Sequence, residues 1–216
     1  MRVAVLFLGG KDSVFATFWA LTNGFDPILV TVEPPEYSMM FHHPNIKQTK
    51  KQAKVLGLKQ VFVTATEDNW RDKLVATFRK LTVGGIVAGA IGSEYQRRRI
   101  DSIGEELGIP TYAPLWHKDM GIQTASDSEL MTEMLEYFEI YITAVAADGL
   151  GQEFLGAPFK KLANSSAVKS KSIHPFLEGG EGETFVANAP FFKNRIKIKK
   201  WKKKWDGVRG TAELSF

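Results

Sequence analysis

The chain has 216 residues, 44% hydrophobic and 24% charged, enough to bury one substantial core or two modest ones. It contains no cysteine, which excludes disulfides, persulfide carriers, thiolate metal sites and a Cys-dependent glutaminase; no apolar run approaches the roughly 20 residues of a membrane span, and no signal-peptide pattern follows Met1-Arg2, so a cytoplasmic protein without a membrane partner is expected. The net charge of +4 comes from Lys193, Arg195, Lys197, Lys199, Lys200, Lys202, Lys203 and Lys204, a stretch without which the chain would be acidic.

Residues 3–8 are continuously apolar and predict a strand buried on both faces, ended by Gly9-Gly10 and followed by a helix over 12–23 with Gly24 as its C-cap. A second strand is expected over 27–32, a helix over 45–56 closed by Gly57, a strand over 60–64 and a helix over 70–81. A strand over 85–88, a helix over 93–107 closed by Gly108 and a strand over 110–113 complete the series. Alternating strands and helices with short connections imply an α/β fold with a parallel five-stranded sheet, whose ligands bind beyond the carboxyl ends of the strands.

After Leu115-Trp116 the pattern changes to a helix over 127–138, a strand over 140–147, a stretch over 150–162 broken by Gly156 and Pro158, and a strand over 184–188. The last residues read as a hairpin, with alternation over 195–199, a turn at Asp206-Gly207 and a return over 208–214. A boundary near residue 115 would divide a nucleotide-binding half, 1–115, from a smaller C-terminal α+β domain, 116–216.

The string Leu6-Phe7-Leu8-Gly9-Gly10-Lys11-Asp12-Ser13 puts two glycines where a strand enters a helix, so backbone amides and the helix N-terminus can receive an anion. Lys11 would add a mobile cation, Ser13 a hydroxyl donor and Asp12 a hard oxygen ligand for Mg2+. The turn from Gly89 to Ser93 would border the same cleft and offer backbone contacts to adenine or ribose, with Ser93 also a helix cap. Of Tyr95, Gln96 and Arg97 to Arg99, which project around one helix, at most two can face the cleft.

Adjacent His42 and His43 lack a Cys, Asp or Glu partner at ligand spacing and make a weak metal signal. His174, before Pro175, is expected to order a loop. Glu178, Glu181 and Glu183 crowd three carboxylates beside Gly179 and Gly180, an arrangement unfavourable without a cation or a positive partner. The lysine-rich stretch, with Ile196 and Ile198 alternating, fits a solvated edge strand better than a nucleic-acid patch.

The string at 8–13 resembles the pyrophosphate-loop signature of the N-type ATP pyrophosphatases, which have an adenine nucleotide alpha-hydrolase-like fold of the HUP type; Leu8 stands where that signature has serine. Met40-Phe41-His42 with Pro44-Asn45-Ile46, then Gly89-Ala90-Ile91-Gly92-Ser93-Glu94-Tyr95-Gln96-Arg97, Pro114-Leu115-Trp116 and Glu178-Gly179-Gly180-Glu181-Gly182-Glu183-Thr184 resemble, in the same order, the diphthine-ammonia ligase family, which commonly has an aromatic residue at the position of Gly182. The resemblance implies ATP-dependent amidation of diphthine on translation elongation factor 2 with ammonium, through an acyl-adenylate and with release of AMP and pyrophosphate. It implies catalytic roles for Lys11, Asp12, Glu178 and Glu183 and ATP contacts from Gly9, Gly10, Lys11, Asp12, Ser13, Gly89 and Ser93. His42, Tyr95, Gln96, Glu181 and Thr184 would contact substrate, Asp12 would hold Mg2+, and a homodimer is left open. A tRNA-modifying ATP pyrophosphatase and a non-enzymatic adenine-nucleotide module are the alternatives, the second drawing its support from Leu8.

Overall fold

The computed structural model describes residues 1–33, 45–89, 94–116, 125–169, 173–177 and 179–216. His42, Ser93 and Glu178 lie outside the described residues, as do Met40, Phe41, Pro44 and the run 90–92.

The first half runs β1 (Arg2–Leu6), α1 (Lys11–Thr22), β2 (Asp26–Glu33), α2 (Thr49–Leu56), β3 (Gln60–Thr64), α3 (Trp70–Leu81), β4 (Ile86–Val87), α4 (Glu94–Leu107) and β5 (Thr111–Tyr112). All five strands pair in parallel, in the order β3-β2-β1-β4-β5, as the alternating pattern requires. Successive side chains of a strand face opposite sides, and β1 shows it. Val3, Val5 and Phe7 join a core built with α1 and α2 residues such as Val14, Ala20 and Leu56, while Ala4 joins the core of α3 and α4 with Leu74, Phe78 and Ile103.

The second half contains α5 (Ala125–Tyr137), β6 (Glu139–Val145), α6 (Phe159–Ala163), α7 (Ser166–Lys169), β7 (Gly182–Asn188), β8 (Lys200–Trp205) and β9 (Gly210–Ser215). Its four strands form an antiparallel sheet in the order β7-β6-β9-β8. Ile140, Ile142, Phe159, Phe176 and Val186 enter the same apolar cluster as Val5, Phe7 and Val14, so one core spans both sheets with α1 inside it.

Two expectations need correction. The helix over 45–56 opens as a 3-10 turn, Ile46–Gln48, before α2, because Asn45 is buried and spends its side chain on β9: Nδ2 donates to Ala212 O at 2.9 Å and Oδ1 accepts from Leu214 N at 3.0 Å. The alternating run 195–199 is no strand; the hairpin strand begins at Lys200. Ile196 alternates because it is buried against Phe185, Ala187 and Leu214, with its amide on Ala187 O at 2.8 Å, and not because it belongs to the ladder. The lysine-bearing edge strand does exist as β8, at the margin of the second sheet.

Candidate active site

Beyond the carboxyl ends of β1 to β4 lies a cavity of about 530 Å3, within the usual range for small-ligand sites. Gly10, Lys11, Asp12 and Ser13 form one wall, Gly182, Glu183 and Thr184 with Leu177 and Gly180 a second, and Thr66, Trp70, Gln96 and Arg99 a third. The first two walls come from distant parts of the sequence: Lys11 N donates to Thr184 Oγ1 at 3.0 Å, across a separation of 173 residues.

The turn after β1 is held from inside and outside. Gly9 has φ +78, a conformation that favours glycine, and a Cβ there would fall 2.2 Å from Gln52 Oε1. Its amide and that of Leu8 donate to Ser13 Oγ at 3.0 and 3.3 Å, and Ser13 Oγ donates to Gly10 O at 3.1 Å. Ser13 therefore orders the turn, rather than presenting the outward hydroxyl that the sequence suggested. Gly9 O accepts from Val186 N at 3.1 Å and from Gln52 Nε2 at 2.8 Å, and the same Nε2 donates to Val186 O at 2.9 Å. Gly10 starts α1 with no side-chain cap, and the first-turn amides of a helix have no intrahelical partner. An anion can take that place.

Lys11 is not a mobile cation. It is 2% exposed, its Nζ donates to Asp12 Oδ1 at 2.8 Å and Oδ2 at 2.7 Å, and it lies 5.7 Å from the Phe176 ring and 5.9 Å from that of Phe159. Burial pushes the Asp12 carboxyl above its ordinary value, and the Lys11 charge opposes that shift. Among the described residues no three His, Cys, Asp or Glu side chains converge as a metal cage. Mg2+ bound through one carboxylate, nucleotide phosphates and water needs no such cage, and Asp12, a quarter exposed on the cavity wall, is the side chain that could take it.

Gly89 lies on the cavity wall for a steric reason: a Cβ would fall 2.6 Å from the backbone C and O of Asp12 and 2.9 Å from Ser13 N. The end of β4 thus packs against the turn itself. Tyr95, 64% exposed, is not part of the wall, whereas Gln96 is.

The acidic turn divides its labour. Glu181 Oε1 accepts from His174 N at 3.0 Å and Oε2 from Gly179 N at 2.7 Å, so backbone amides, not a cation, relieve its charge. His174 Nδ1 in turn accepts from Phe176 N at 3.2 Å, ordering the loop as expected. Glu183 is exposed and lines the cavity. Gly182 pairs with Val145, and a Cβ there would fall 2.5 Å from Ala144 O, which leaves no room for an aromatic side chain in this backbone. Leu177, at φ +60, carries backbone strain beside the cavity.

Sequence reasoning missed Thr66 and Trp70 as wall residues and Gln52 as the clamp on Gly9; of the five α4 residues from Tyr95 to Arg99 it left open which face the cleft, and Gln96 and Arg99 are the two on the wall. Arg99 had a signal, since it stands one helical turn after Gln96 on one face. Gln52 had none, because its partners lie 43 and 134 residues away.

Residues 1–111 match the family model described as the diphthamide synthase N-terminal domain, and residues 126–215 the one described as its C-terminal domain. A diphthine–ammonia ligase from Homo sapiens is 30% identical over 229 residues, covering 91% of this chain and 82% of the human one. A diphthine–ammonia ligase from Saccharomyces cerevisiae is 27% identical over 238 residues, 90% of this chain and 34% of the yeast one. Among solved structures, a predicted subunit of tRNA methyltransferase from Methanocaldococcus jannaschii superposes with a TM-score of 0.47 at 18% identity, over 88% of this chain and 98% of that one. Matched in both halves, and 30% identical to a relative over most of both chains, the chain belongs to the diphthamide synthase family.

Proposed function

We propose that the chain uses ATP to adenylate a carboxylate and passes the acyl group to ammonia, and that the carboxylate is that of diphthine on translation elongation factor 2. The observation that carries this most strongly is the joining of the glycine turn and the acidic turn on one cavity, through Lys11 N and Thr184 Oγ1, in a chain of this family.

A carboxylate oxygen bonds to the α-phosphorus of ATP, the bond from that phosphorus to the bridging oxygen breaks, and pyrophosphate leaves. Ammonium gives up one proton, the resulting ammonia attacks the acyl carbon, AMP departs with the carboxylate oxygen, and a second proton is lost as the amide forms. No nucleophilic side chain is needed. The protein aligns the reacting atoms and stabilises charge on the leaving group, with the helix-terminal amides on the phosphates and Lys11 acting beside them as the fixed positive partner of Asp12. Mg2+, when bound with ATP, would neutralise phosphate charge from the side of Asp12. Glu183, with Glu178, is assigned to ammonium and its protons; Glu181 is assigned to holding the turn, since both its oxygens accept backbone amides.

Purified protein given ATP, ammonium and diphthine-bearing elongation factor should release AMP and pyrophosphate, and omission of any one should stop it. Consumption of ATP stimulated by tRNA in place of the factor would contradict the proposal, and bound ATP with no AMP under any acceptor would favour a nucleotide-binding module.

A further inference from the structure

Three consecutive arginines on α4 have different partners. Arg97 Nε donates to Asp101 at 2.8 and 3.0 Å, and Arg98 reaches Glu94 at 2.6 and 3.1 Å. Arg99 instead lies over two rings, its Cζ 4.0 Å from the centroid of Tyr95 and 5.2 Å from that of Trp70. No carboxylate pairs with it among the described residues. Ring faces hold a guanidinium in place without neutralising it and without accepting its N–H groups as a carboxylate would, so its five donors keep their capacity for an anion. The exposed Tyr95 thereby has a use although it is not on the wall.

Arg99 also lines the cavity, where the other described cation is Lys11, already bidentate on Asp12. An acyl-adenylating site must bring two anions into contact, a triphosphate and a carboxylate. The turn at 9–13 serves the first. A second, uncommitted cation on another wall of the same cavity answers the need of the other, and a planar fork is the group that matches a carboxylate best.

We propose that Arg99, held by Trp70 and Tyr95, receives the carboxylate of the acyl substrate. This rests on the acyl-adenylation reading. It gives the site a means of preferring the carboxylate substrate over its own carboxamide product, which carries no charge for Arg99 to meet.

The test uses the full chain with Arg99→Met and Arg99→Lys. ATP affinity is measured by equilibrium binding without acceptor; the KM of diphthine-bearing factor is measured by ATP–pyrophosphate exchange; and binding of the factor's diphthine and diphthamide forms is compared directly. Arg99→Met should raise the acceptor KM by about tenfold to a hundredfold, the range for loss of a charge-assisted hydrogen bond pair. It should also erase the preference for the carboxylate form while ATP still binds. Arg99→Lys, which keeps charge without the fork, should fall between. A parallel loss of ATP affinity would mean that the anion is the nucleotide's, and an unchanged acceptor KM in both variants would overturn the proposal outright. Should the wild type show no acceptor-dependent exchange, the ligase reading fails by itself, and the direct comparison of carboxylate and amide forms still decides the role of Arg99.

Discussion

Burial lifts the Asp12 carboxyl above its ordinary 3.8, and Lys11, 2.7 Å away, opposes the shift. A raised acid contributes stability that is present below its ordinary value and lost as pH rises through the folded one, so ionising this carboxyl costs the fold stability, a cost that the Lys11 charge partly offsets. Because the charged form is the one that could bind Mg2+, affinity for Mg2+ with ATP should fall, on acidification, at a pH above 3.8; an acid limb at or below 3.8, followed by titration of nucleotide binding, would contradict that link. Asp12→Asn preserves the shape of the pair and removes the charge, and AMP formation should drop by at least about a hundredfold, the scale seen when one preorganised electrostatic group is lost. Unchanged turnover would remove Asp12 from the mechanism. The turn itself was legible in the sequence, since Gly9, Gly10, Lys11 and Asp12 each bring a local property to the end of a strand. That Lys11 would be buried was not, because its cover, Phe159 and Phe176, arrives from elsewhere in the chain; Ser13 is turned inward by the turn's own Leu8 and Gly9 amides and Gly10 carbonyl, a local arrangement that the residue types alone do not specify.

The strand and helix series was legible because hydrophobic period and glycine punctuation agree; Gly57, for example, closes α2 in the left-handed conformation at φ +71. The error over 195–199 has a physical source: Ile196, buried, and Ile198, half-buried, pack on one cluster between exposed basic residues and imitate a strand's alternation without its ladder. The Pro44-Asn45-Ile46 string gave no hint that Asn45 serves as a partner for β9, at positions 167 and 169 residues away. Asn45→Ala would leave Ala212 O and Leu214 N unpaired in a buried place, and each such group costs about 1 to 3 kcal/mol. A loss of about 2 to 4 kcal/mol in urea denaturation is expected; a loss below about 0.5 kcal/mol, the scale of a neutral surface change, would show that water substitutes fully.

At the scale of the molecule, the strand order β3-β2-β1-β4-β5 puts the first strand in the centre, so its carboxyl end opens into the cleft where the order reverses. The second sheet then sets β7 against α1, and one apolar cluster fastens the two together. The acidic turn reaches the phosphate turn by that packing, which no local sequence signal could have specified. Between them the two sheets leave a cavity walled by the glycine turn, by the acidic turn and by Thr66, Trp70, Gln96 and Arg99, and the proposed function assigns these walls to nucleotide phosphates, ammonium and the carboxylate. The most direct test of acyl adenylation is an oxygen label: elongation factor carrying diphthine with an 18O-labelled carboxylate is turned over with ATP and ammonium, and the AMP is weighed by mass spectrometry. One label atom per AMP is predicted, because the carboxylate oxygen stays on the α-phosphorus when ammonia displaces the acyl group. Unlabelled AMP, or ADP with label in inorganic phosphate, would contradict it.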